Sequence, residues 1–168
     1  FPNKVQALAF WNLGAERSLI ARVSKVLLLI EKSFKGPTAK SIFTKKFSFE
    51  SWNSKFKPNR TEFDWLSSNP EEVDKYVNDP LCGHEASISM WLDTLDLVFK
   101  AADKNRLKLL SKFLPIHLLA GQSDPSTNYG RDILKLKKRL KDLGFKDVTY
   151  EIRPDTRHES LNEINRDE

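Results

Sequence analysis

Apolar residues recur along the chain with two different periods. Val5-Gln6-Ala7-Leu8-Ala9-Phe10 is a short, mostly apolar run of the kind a buried strand needs, and Trp11-Asn12-Leu13-Gly14 ends it. From Ala15 to about Lys35, Leu19, Val23, Val26, Leu27, Ile30 and Phe34 recur at three- and four-residue spacing, which predicts a helix with these residues on one face. Gly36-Pro37 stops it. Residues 38–68 scatter Phe43, Phe47, Phe49, Trp52, Phe56, Phe63 and Trp65 among polar residues, with a break at Pro58-Asn59, and predict short helices and loops packed by aromatics. Asn69-Pro70-Glu71-Glu72 is a helix start: Asn caps, Pro suits the first helical position and the acids face the positive helix end. That helix ends near Asp79-Pro80. A further helix from about Ala86 to Ala101 turns Ile88, Trp91, Leu92, Leu95, Val98 and Phe99 towards a core, and a short one covers Lys104 to Ser111.

The pattern then changes. Leu114 to Gly121 reads as a buried strand ending in glycine. Tyr129 to Leu143 reads as an amphipathic helix with Ile133, Leu134, Leu136, Leu140 and Leu143 inward, and Gly144 sits where a helix stop belongs. Val148-Thr149-Tyr150-Glu151-Ile152 alternates as a strand. A strand, a helix of this length and a second strand imply a parallel pair in a sheet covered by helices, an α/β arrangement.

Composition adds limits. The 168 residues suffice for one domain with a real core, and 39% hydrophobic with 30% charged residues is ordinary for a globular protein. The longest apolar run, Val26 to Ile30, is too short to span a bilayer. The single Cys82 excludes an internal disulfide and fits a reducing compartment, and Phe1-Pro2-Asn3-Lys4 does not read as a signal peptide, so a cytoplasmic location is expected. The net charge of +5 is mild; its densest patch, Lys135, Lys137, Lys138, Arg139 and Lys141, lacks interleaved aromatics and reads as a solvated helix face rather than a nucleic-acid site. Three scattered histidines and one cysteine have no metal-ligand spacing, so neither a metal nor another cofactor is expected.

Candidate chemistry lies in two loops. Gly121-Gln122-Ser123-Asp124-Pro125 follows one predicted parallel strand and Asp155-Thr156-Arg157-His158-Glu159 follows the next, so both open on the carboxyl edge where α/β sheets place ligands. Two readings stand on spacing alone. Asp124 orients His158, which serves as a general base; or Asp124 caps a turn and His158 is an exposed loop histidine. Ser123 neighbours the presumed acid and lacks a second glycine, Cys82 lies in a helical segment without a local partner, His117 falls inside a strand and His84 in a loop.

Three stretches carry a resemblance. Phe63-Asp64-Trp65-Leu66 with Val73 to Gly83, Leu114 to Pro125, and Arg157-His158-Glu159-Ser160-Leu161-Asn162-Glu163 are similar to the lysophospholipase and monoacylglycerol-lipase-like group of α/β-hydrolases, of the serine aminopeptidase S33 type. The resemblance implies the C-terminal part of an α/β-hydrolase fold with a mainly helical cap insertion: a core strand in 1–11, a cap over 12–110, and a C-terminal core with acid and histidine loops in 111–168. It implies hydrolysis of a lipid or other small ester, with Asp124 as acid, His158 as base, and Trp52, Phe56, Phe63, Trp65 and Trp91 as residues of an acyl cleft or, alternatively, of the core. Contact with a membrane surface would be transient. The nucleophile of this group sits in Gly-x-Ser-x-Gly, and no two of Gly14, Gly36, Gly83, Gly121, Gly130 and Gly144 are four apart. The chain is therefore expected to carry no nucleophile, to be a partial chain at both ends, and to need a preceding portion or a partner chain for catalysis; the competing expectation is a non-catalytic binding module derived from a hydrolase.

Overall fold

A computed structural model describes residues 5–13 and 18–167. Its strands and helices follow in the order β1 (Leu8–Trp11), α1 (Leu19–Lys35), α2 (Ile42–Thr44), α3 (Ser51–Asn53), α4 (Pro70–Asn78), α5 (Ile88–Ala101), α6 (Lys104–Lys108), β2 (Ile116–Gly121), α7 (Arg131–Asp142) and β3 (Val148–Arg153). A π-helical turn, Lys45–Glu50, joins α2 to α3.

The three strands form one parallel sheet in the order β1-β2-β3, with Leu8 opposite Ile116 and Ile116 opposite Val148. β2 is central, which explains its near-continuous apolar run. Ile116, Leu118 and Ala120 on one face of β2 pack against Ile133, Leu136 and Leu140 of α7, with Phe145 closing the end. His117, on the other face, is hydrogen-bonded across to the Thr149 hydroxyl at 2.9 Å.

Several expected boundaries shift. The first strand begins at Leu8 rather than Val5. The predicted helix start at Ala15 lies outside the described residues; within them, Ser18 caps α1 by accepting from the Ala21 amide, and Gly36 at φ 84 ends it. Tyr129 does not belong to α7, because Tyr129 and Gly130 both adopt left-handed backbone, φ 59 and 76, before the helix begins at Arg131. Leu134 is 39% exposed rather than inward, since Ile133, Leu136 and Leu140 already fill the stripe that meets the sheet.

The expected apolar face of α1 is its outer face. Leu19, Val23, Val26, Ile30 and Phe34 are all exposed, Phe34 at 85%. At 100° per residue Leu28 projects from nearly the opposite side, and it alone of the helix is fully buried, against Ile88 and Leu92 of α5. The helix is apolar on two sides and packs on the narrower one.

Candidate active site

The acid loop is a turn built by its own side chains. Asp124 caps a short 3-10 turn, Pro125–Thr127, and its Oδ1 accepts from the Ser126 amide at 2.8 Å. Three consecutive left-handed residues, Asn128, Tyr129 and Gly130, then fold the chain back so that the Tyr129 amide donates to the Asp124 carbonyl at 2.8 Å. The carboxylate is completely buried. Its second oxygen, Oδ2, faces His158 Nδ1 at 3.0 Å. Capping and orienting, the two alternatives that spacing left open for Asp124, therefore coexist: one oxygen does each.

The histidine loop reaches the same point from β3. Asp155, at φ 51, turns the chain, and the Ser123 amide donates to the Thr156 carbonyl at 2.9 Å. The loops touch so closely that a Cβ on Gly121 would lie 2.2 Å from the carbonyl oxygens of both Thr156 and Arg157. His158 is 28% exposed by its side chain. With a buried carboxylate beside Nδ1, the neutral ring carries its proton there, and Nε2, which makes no hydrogen bond among the described residues, is left with a free lone pair. Ser126 Oγ also lies 2.9 Å from Nδ1. That places Ser126 on the orienting side of the ring, so it cannot be a nucleophile activated by Nε2.

A third strand end joins these loops. Asn12, at φ 51 just beyond β1, accepts from the Gly121 amide at 3.2 Å and exchanges hydrogen bonds with the Ser160 hydroxyl at 2.8 and 3.0 Å.

The segment 60–68 is clamped onto the histidine loop. The Arg157 guanidinium donates to the carbonyl oxygens of Asp64 and Ser67, and the Glu159 amide donates to the Leu66 carbonyl at 2.7 Å. Burial pushes the Arg157 guanidinium below its ordinary value, against the pull of Glu163 and Asp64, yet it starts so high that it stays a cation at neutral pH. Glu163, almost fully buried, accepts from the amides of Arg157 and Ser68 and from the Ser68 hydroxyl. Within the segment, Asp64 accepts from the Arg60 and Thr61 amides and from the Thr61 hydroxyl. This framework sets the Trp65 ring against His158, with centroids 4.8 Å apart.

Trp65 also walls a cleft of about 410 Å³, together with Phe49, Phe63, Tyr76 and Trp91. Of the five aromatics singled out from the sequence, Phe63, Trp65 and Trp91 border this space. Trp52 packs on Phe49 and Trp65 without lining it, and Phe56 lies under the Arg157 guanidinium in a smaller cavity. His84 lies on the cleft wall. Partial burial and the neighbouring Asp79 carboxylate push the Cys82 thiol up, away from the thiolate a nucleophile needs.

Sequence reasoning assigned no role to Ser126, Asn12, Arg157 or Glu163. The spacing of Ser126 two residues after a turn-capping Asp was the available signal for the first. Nothing local marks Glu163 as buried.

Comparison with known proteins fits this geometry. A family model described as Hydrolase_4, serine aminopeptidase S33, matches residues 16–165. No curated protein matches in sequence. Among solved structures, a carboxyl esterase from Bacillus coagulans in complex with glycerol superposes with a TM-score of 0.79 at 21% identity, over 96% of this chain and 52% of that one. A monoacylglycerol lipase of Paleococcus ferrophilus gives 0.64 at 20% identity, over 98% and 55%. A soluble variant of the Saccharomyces cerevisiae monoglyceride lipase with a substrate analog gives 0.63 at 13%, over 97% and 49%. The chain thus spans about half the length of these structures, and at such identities the likeness speaks for the fold.

Proposed function

The chain belongs to the serine aminopeptidase S33 family of hydrolases and has the α/β-hydrolase fold, and on that premise we propose that it supplies the acid and base of a carboxylic-ester hydrolase acting on a lipid monoester, such as a monoacylglycerol or lysophospholipid. The observation that carries the reading is the fully buried Asp124 carboxylate 3.0 Å from His158 Nδ1, on the carboxyl edge of a parallel sheet.

In this reading Asp124 keeps the proton on Nδ1 and stabilises the imidazolium, while Nε2 takes the proton of a serine hydroxyl as that oxygen attacks the ester carbonyl. The carbonyl π electrons move to oxygen and return as the alkoxide leaves, taking the proton from Nε2. Water, deprotonated by the same nitrogen, then cleaves the acyl-serine ester. The glycine spacings allow no Gly-x-Ser-x-Gly in these residues, so the serine and the groups that hold the oxyanion come from polypeptide outside them. Of the expected division into a core of 1–11 and 111–168 and a cap of 12–110, residues 1–4, 14–17 and 168 lie outside the described residues; in the rest, the helices between β1 and β2 act as the cap over the sheet, and the cleft beside Trp65 receives part of the substrate. The lone Cys82 suits a cytoplasmic setting, and the exposed apolar side of α1 suits transient contact with a membrane surface.

A fluorophosphonate probe tests the assignment in the longest natural polypeptide that contains these residues. Labelling of one serine that drops at least about 1000-fold in His158→Ala supports it, the scale expected when a triad member is removed. Labelling unchanged by His158→Ala refutes the role of His158, and no labelling of the unaltered protein favours a non-catalytic binding module.

A further inference from the structure

The hydrogen bonds to His158 hold its ring at a single atom. Asp124 Oδ2 and Ser126 Oγ both meet Nδ1, at 3.0 and 2.9 Å. Two partners on one atom leave the imidazole able to swing about it, so they do not by themselves aim Nε2. The Trp65 ring supplies the further constraint. Its centroid lies 4.8 Å from that of His158 with 38° between the planes. Rings meeting edge to edge cannot bring their centroids so close, so the imidazole lies over the indole face as a tilted stack.

Trp65 is fixed to the same loop that carries the histidine. Its backbone N–H donates to Asn53 Oδ1 at 3.0 Å. The carbonyls of its two neighbours, Asp64 and Leu66, accept from the Arg157 guanidinium and the Glu159 amide, from the two residues that flank His158. On the rest of the indole, Phe49 stacks and Trp52 packs. The two rings therefore keep their relation if the loop shifts.

Packing alone does not account for a tryptophan here. The residue is 5% exposed, and its buried indole N–H has no hydrogen-bond partner among the described residues. A phenylalanine would fill much of the same space without burying an unpaired donor. What indole does better than a benzene ring is attract a cation to its face. In the hydrolase reading a cation arises at His158 only during reaction, when Nε2 takes the serine proton. An attraction between indole and imidazolium thus acts in the transition state and is absent from the resting neutral ring, which is the condition for it to accelerate the chemistry.

We propose that Trp65 is a positioning residue of the active site: its indole face holds the plane of His158 and stabilises the imidazolium formed as Nε2 takes a proton. The catalytic consequence rests on the hydrolase reading; the stack itself does not.

The test uses the longest natural polypeptide that contains these residues, with mono-, di- and trifluorotryptophan placed at position 65. Fluorine on the six-membered ring withdraws negative charge from the π face and hardly alters the shape of the side chain, so the fold is kept. The readout is the limiting rate of serine labelling at saturating fluorophosphonate, separated from the probe concentration that gives half that rate. The limiting rate is expected to fall stepwise with the number of fluorines, about tenfold in all, while the half-saturating concentration stays within about twofold. Nuclear Overhauser contacts between the indole and the carbon-bound ring protons of His158 are expected in the unaltered protein. A limiting rate indifferent to the fluorine count, an effect confined to the half-saturating concentration, or absence of the Overhauser contacts each overturns the proposal, and labelling that still depends on His158 then leaves the hydrolase reading standing. No labelling of the unaltered protein overturns the hydrolase reading and, with it, the catalytic role of Trp65.

Discussion

Replacing Gly121 by Ala isolates the contact on which the meeting of the two loops depends. Gly121 ends β2 with strand backbone, not left-handed backbone, so alanine is locally acceptable and even gains about 0.4–1 kcal/mol by restricting the unfolded chain. The cost is steric. Its Cβ would sit 2.2 Å from the carbonyl oxygens of Thr156 and Arg157, and relief to an ordinary contact of at least 3.4 Å requires the histidine loop to retreat by about 1.2 Å or more. Overpacking of this kind costs about 1–3 kcal/mol. The retreat also stretches the bonds from Gln122 to the Arg153 carbonyl, 2.8 Å, and from Ser123 to the Thr156 carbonyl, 2.9 Å, each worth about 1 kcal/mol. The net expectation is a loss of about 2–4 kcal/mol. With an m-value of about 2 kcal/mol/M the urea midpoint falls by about 1–2 M, and the His158 ring resonances shift as Nδ1 leaves Asp124. An unchanged midpoint with unchanged His158 resonances would refute the close approach of the loops.

Other perturbations probe separate parts of the site. Measured in the longest natural polypeptide that contains these residues, Asp124→Asn is expected to lower kcat by about 1000–10,000-fold with little change in KM, because the ring loses its preferred tautomer; a loss under tenfold would sink the orienting role. Ser126→Ala removes only one neutral contact to Nδ1, and the expected fall in kcat is about 2–10-fold, restored by Ser126→Thr. Glu163→Ala leaves the amides of Arg157 and Ser68 without an acceptor in a buried place, so thermal denaturation should show a loss of about 2–4 kcal/mol; a shift within error would show that water replaces the carboxylate freely. For Asp64, burial raises the carboxyl value, but hydrogen bonds from the Thr61 side chain, the Thr61 amide and the Arg60 amide outweigh it and hold the group below its ordinary 3.8. Its contribution to stability is therefore complete above about pH 4 and is lost as the pH falls through the lowered value, so Asp64→Asn should flatten the urea midpoint below about pH 4 relative to the unaltered protein.

The parts of this fold legible in the sequence are those that short-range patterns decide. β2, α7 and β3 were readable because a continuous apolar run, a 3.6-residue stripe and an alternating run each fit one element only, and their order forced the parallel pairing. The Asn69 cap and Pro70 fixed the start of α4 for the same local reason. On α1 periodicity found the helix but not which side meets the core, because Leu28 lies outside the recurring set and two sides are apolar. At the site, Asp124 and His158 could be named from where their strands end. Their contact could not, since it depends on Gly121 having no side chain against a loop 35 residues away. Glu163 was opaque for a related reason: a carboxylate in a polar stretch normally faces water, and only the amide groups of Arg157 and Ser68, distant in sequence, make its burial tolerable.

The hold of Arg157 on the carbonyls of Asp64 and Ser67 also decides where this molecule can be divided. By chain order, residues 60–68 fall among the helices between β1 and β2, but mechanically they are part of the scaffold that carries the histidine. Rocking of the helical layer would have to bend outside this stretch, towards α1 and α5, or it would drag His158 with it. Anyone transplanting another helical layer onto this sheet should therefore cut after residue 68 on one side and before 60 on the other, keeping Trp65 with the recipient.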